Sequence, residues 1–185
     1  MHRPATHALL LAIAALTGCE KATDVAAEKA IEKSIEQSMA KDGTKAKVDL
    51  SGGGVKISAT DDKGQTTTTE IGGAKVSEAD MGLPFYPGAK QDPQGSSRSD
   101  SVDGKMVMTK LDSADPVDKV AAFYRDKLKS QSAGKQLLDN AGPDGVTLML
   151  ADDKTDHTLS VLIEKHESGA EITLSDDIVG YLRAS

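Results

Sequence analysis

"GVTLMLADDKTDHTLSVLIEK", residues 145–165, decides what kind of fold this chain adopts. Val146, Leu148 and Leu150 recur at every second position, and Leu159, Val161 and Ile163 repeat the pattern after a short acidic link. A period of two in aliphatic residues is the mark of a strand with one buried face. The link is polar and too short for a parallel crossover, so the two strands are expected to be antiparallel neighbours. Met149 and Leu162 fall on the other side of the same strands. A second cover is therefore expected there, supplied by the N-terminal unit, a partner or loops.

Working outward, "KQLLDN" (135–140) and "AEITLS" (170–175) read as flanking strands, set off by Gly142-Pro143-Asp144-Gly145 and Ser168-Gly169. Upstream, "DPVDKVAAFYRDKLKS" (115–130) predicts a helix. Asp115 is placed as its cap, Pro116 as its first residue and Asp118 in its first turn, with Lys127 and Lys129 at the opposite end of the dipole. Val117, Val120, Ala121, Tyr124 and Leu128 form one apolar stripe that should lie on the sheet. "KMVMTKL" (105–111) adds a strand, and "QGSSRSDSVDG" (94–104) reads as a polar strand or loop. The class expected for 83–185 is α+β: an antiparallel sheet of four to five strands with one amphipathic helix across it.

The first half is thinner in apolar residues. "TDVAAEKAIEKSIEQSMA" (23–40) predicts a helix whose Ala27, Ile31, Ile35 and Met39 step by four. It serves as a self-associating or partner-binding helix, as cover for the strands that follow, or as a spacer off the membrane. "AKVDL" (46–50), "VKISAT" (55–60) and "QTTTTEIG" (65–72) then predict a small three-stranded meander, and "GGAKVSEADMG" (72–82) a linker.

The start of the chain, "MHRPATHALLLAIAALTGC", carries its one cysteine. Arg3 precedes an uninterrupted apolar run, Ala8 to Leu16, that as a helix spans only roughly 14 Å, too short for a bilayer. That is a signal-peptide pattern. Leu16-Thr17-Gly18-Cys19 resembles the lipobox of bacterial lipoproteins. The resemblance implies cleavage between Gly18 and Cys19, a diacylglyceryl group on the Cys19 sulfur and acylation of the new amine. Two or more acyl chains suffice for stable anchoring. The expected layout is a signal peptide at 1–18; a lipidated N-terminus, helix and meander at 19–71; a linker at 72–82; and the α+β domain at 83–185. Glu20, rather than Asp, follows the cysteine, which favours the outer over the inner membrane, facing the periplasm.

A second resemblance lies in Leu83-Pro84-Phe85-Tyr86-Pro87-Gly88-Ala89 followed by the Val120-Ala121-Ala122-Phe123-Tyr124 helix. This is similar to a module of uncharacterised bacterial envelope proteins with a "YPGA" entry and no assigned activity. Phe85 and Tyr86, bracketed by prolines, are either core packing or a rigid partner-binding corner.

Composition excludes more than it assigns. The net charge of −7, with 22 basic and 29 acidic residues, argues against nucleic acid as a partner. Removing residues 1–18 takes out Arg3 and no acid, which leaves −8. "SDSVDG" (99–104) has Ser where a calcium loop needs carboxylates and Lys110 where it needs its Glu. "DDKTDH" (152–157) gathers three carboxylates and His157, and reads as a solvated turn. No nucleophile elbow or P-loop occurs, and Ser97, Ser99 and His166 form no recognisable catalytic spacing. The expectation is a lipid-anchored, non-enzymatic binding or structural module with no cofactor, metal or catalytic residue. Its partners would be the membrane, through the acyl chains, and an envelope protein. A small-ligand or lipid carrier and an uncharacterised hydrolase are the alternatives.

Overall fold

The computed structural model of the chain describes residues 20–41 and 45–179. Gly18, Cys19 and the apolar run before them, and the tail beyond Val179, lie outside the described residues. The chain runs α1 (Glu20–Lys41), β1 (Lys45–Asp49), β2 (Val55–Thr60), β3 (Thr66–Ile71), α2 (Glu78–Met81), β4 (Lys90–Ser101) and β5 (Gly104–Ser113). It continues with α3 (Val117–Ser130), β6 (Gln136–Ala141), β7 (Gly145–Asp152), β8 (His157–His166) and β9 (Gly169–Val179). Every neighbouring pair is antiparallel, in the order β1-β2-β3-β4-β5-β9-β8-β7-β6. After β5 the chain crosses through α3 to the far edge and returns strand by strand.

The nine strands form one sheet. This corrects the expected four- to five-stranded sheet with a separate three-stranded meander in front of it. The join is the pairing of Thr68–Ile71 in β3 with Ser97–Asp100 in β4. Residues 96–101 have no apolar face, so their side chains carry no strand signal, yet a ladder needs only backbone donors and acceptors. Hydroxyl pairs line this region: Thr69 with Ser99 at 3.2 Å and Ser58 with Thr68 at 3.2 Å. A β-bulge interrupts β4 between Asp92 and Ser97 and takes Pro93 out of the ladder. There the Gly72 and Gly73 amides donate to the Ser96 and Pro93 carbonyls at 2.8 and 2.7 Å.

One face of the sheet holds the core. Val107 and Leu111 of β5, Leu148 and Leu150 of β7, Leu159, Val161 and Ile163 of β8, and Ile172 and Leu174 of β9 are buried there. Val120, Ala121, Tyr124 and Leu128 of α3 close over them. Residues 72–83 join this core through Ala74, Val76, Met81 and Leu83. The short α2 is held by a capping box: the Ser77 hydroxyl accepts from the Asp80 amide, and the Asp80 carboxylate accepts from the Ser77 amide. Gly82, at φ 59°, reverses the chain after it. Arg98 of β4 pairs with Asp80 at 2.7 Å, tying α2 to the sheet. The Ser77 hydroxyl, the Ser77 amide and Arg98 together hold the Asp80 carboxyl well below the usual carboxylate range.

Asp115 is not the helix cap. Pro116 occupies that position without a side-chain bond, and Asp115 instead accepts from the Tyr86 hydroxyl at 2.7 Å and pairs with Lys119 at 2.9 Å.

Candidate functional site

Of the roles open to α1, the structure has it packed along β1, where it guards an edge of the sheet. The amides of Val48 in β1 and of Leu50 just after it point away from β2, and the carboxylates of Glu36 and Glu32 accept them at 2.9 and 3.0 Å. Lys29 holds the second oxygen of Glu32 at 2.8 Å, and this bond, with the Leu50 amide, lowers the Glu32 pKa. Ile35 and Met39 are half-buried beside Val48, whereas Ile31 is 52% exposed. The signal that sequence reasoning missed is the i, i+4 row Glu28-Glu32-Glu36, which marks the helix face turned to the strand.

The sheet's second face is where the apolar residues exceed the cover. Strand registers place Leu138, Met149, Ser160, Ser175, Met108 and Ser97 in one cross-strand row on that face. Met106 and Leu162 flank this row, 41% and 37% exposed. The Lys110–Glu171 ion pair, at 2.8 Å, sits toward the end nearer β4. Among the described residues nothing packs over this surface. Its chemistry, three unbranched thioethers among hydroxyls, suits an adaptable contact.

The aromatic corner is mostly internal. Tyr86 is buried, bonded to Asp115 and edge-on to Phe123 at 5.3 Å. Asp115 raises the pKa of its phenol. Phe85 stays half-buried, its amide donating to Glu78 at 2.8 Å. Of the two residues expected to contact a partner, Phe85 is the one with surface to offer. Phe123 in turn packs edge-on against Tyr124. The Tyr124 hydroxyl is buried with the Tyr86 backbone set against it and makes no well-formed hydrogen bond among the described residues; burial pushes its pKa up.

The polar groups with reactive side chains are separated. His157 pairs through Nε2 with the buried Asp176 at 3.1 Å and lines a cleft of about 210 Å³ together with Asp152, Asp153 and Asp156. His166 stands at the other end of β8, about 30 Å away at strand spacing, near a cleft of about 460 Å³ at the start of α3. Lys165 and His166 share that cleft with Asp118 and Glu167, so no single sign of charge prevails. Ser97 is buried and Ser99 is bonded to Thr69. Among the described residues no group of three or more His, Cys, Asp or Glu side chains is arranged to hold a metal, and no helix is long and apolar enough to cross a membrane.

No family model, curated protein or solved structure matches the chain.

Proposed function

We propose that this chain is a lipid-anchored envelope protein, held through acyl chains on Cys19 and acting as a non-enzymatic binding module in the periplasm. The observation that carries the reading is Leu16-Thr17-Gly18-Cys19 at the end of a short apolar run behind Arg3. A sulfur nucleophile is needed for the thioether, and Cys19 is the chain's one thiol. The folded body takes up the chain at Glu20, directly after the cleavage point. That junction leaves the sheet hanging from α1 with almost no free tether. A surface of Met, Leu, Ser and Thr on the second face is the place where an envelope protein would be met, with the outer membrane as the favoured location.

Metabolic labelling tests the anchor. Radiolabelled palmitate should enter the wild-type chain in bacterial cells and not Cys19→Ala, which should also leave the membrane fraction. An unlabelled wild-type chain that keeps residues 1–18 overturns the reading. A hydrolase panel tests the second half of it: turnover by the purified protein that is lost in His157→Ala or His166→Ala replaces the binding module with an enzyme.

A further inference from the structure

The sheet's two edges differ in one respect that points to a partner. At β1 the outward amides of Val48 and Leu50 are taken by Glu36 and Glu32. At β6 nothing among the described residues takes them. The Gly142 amide donates inward to the Gly145 carbonyl at 2.9 Å. Alternation along an antiparallel ladder then turns Leu138 and Asn140 inward and leaves the amides and carbonyls of Leu137, Asp139 and Ala141 facing out. The strand carries no proline, no bulge and no lysine within Gln136–Ala141, and its one charge, Asp139, is engaged by Arg125 of α3. It also exposes Leu137 and Leu138, at 41% and 53%.

We propose that β6 pairs antiparallel with β6 of a second copy of this chain, centred on Leu138, joining two sheets into one. A second copy fits because the strand is its own complement about that residue. Gly134 and Gly142 flank it at equal distances, so neither end meets a side chain. In this register Leu137 faces Asp139, Gln136 faces Asn140 and Lys135 faces Ala141, so outward residues meet outward residues and no like charges are opposed. Leu137 and Asp139 of each copy exchange both backbone bonds with Asp139 and Leu137 of the other. Leu138 meets Leu138 in the closer, non-hydrogen-bonded kind of pair, on the uncovered face beside Met149. Centring on Asp139 instead sets two carboxylates against each other. Centring between residues pairs outward groups with inward ones. Arg125, which grips Asp139 from α3 at 2.6 Å, fixes the strand without covering its edge.

Disulfide trapping in the full chain reads the register directly. The wild-type chain, with Cys19 alone, sets the background. Opposed Cα atoms in a non-hydrogen-bonded pair lie about 4.5 Å apart, within disulfide reach. Leu138→Cys should therefore give a covalent dimer on mild oxidation of whole cells, whereas Asn140→Cys and Asp139→Cys should stay at background. In detergent, the wild-type protein should sediment as a dimer and Leu138→Lys as a monomer that still unfolds cooperatively, with a melting midpoint that no longer depends on protein concentration. A monomeric wild type, a dimer that survives Leu138→Lys, or trapping at Asp139→Cys in place of Leu138→Cys overturns the proposal. The inference does not depend on the lipid anchor, and palmitate labelling and trapping fail separately.

Discussion

The two ends of the sheet are built by different physics. In β5, β7, β8 and β9 aliphatic and polar residues alternate, and one face is dry against α3. From β1 to β4 only Val48 is a buried aliphatic on a strand; serine and threonine dominate, and a helix serves as an edge cap. The first end is held by burial and the second by its ladder, hydroxyl pairs and carboxylates on backbone amides. A sheet needs a core somewhere, but it does not need one under every strand.

Truncations at the two ends should differ in cost. Leu148→Ala or Ile172→Ala at the core end should lower stability by about 2–5 kcal/mol in a denaturant titration. Thr69→Ala at the hydroxyl end, which removes one partly buried hydrogen bond, should cost about 1 kcal/mol. Equal losses would abolish the distinction.

Acid should loosen the seam between α2 and β4. The folded-state pKa of Asp80 is depressed, so its contribution is present above its unfolded value of about 3.9 and is lost as pH falls below that. Asp80→Asn should flatten this part of the stability–pH profile, measured by thermal melts between neutral and strongly acidic pH.

The core end was legible because its pattern is local: Leu148 and Leu150, or Leu159 and Val161, announce a strand from their own spacing. The α3 stripe was legible for the same reason. The β3–β4 join was not, since Ser97 through Asp100 bury no aliphatic side chain and pair through backbone with residues some thirty positions away. The turn of α1 was obscured by an apolar stripe that matches helix cover, while the Glu32 and Glu36 carboxylates set its orientation. Asp115 looked like a cap from sequence position, but the Tyr86 hydroxyl and Lys119 claim its oxygens.

Two smaller effects sharpen the contrast. Glu36→Ala should speed exchange of the Val48 amide by about five- to tenfold, the loss of one hydrogen bond, without altering core amides. Tyr124→Phe removes a buried hydroxyl that makes no well-formed hydrogen bond, so thermal melts should show no loss of stability and a gain of up to about 1 kcal/mol. A loss there would show that the hydroxyl is bonded in solution.

Native-state hydrogen exchange at the β3–β4 seam tests the single sheet most directly. The amides among Thr68–Ile71 and Ser97–Asp100 that bridge the two strands should be protected and should open together. Free exchange on the β3 side, with β5–β9 still protected, would mean that residues 45–71 are a separate unit and would contradict the account.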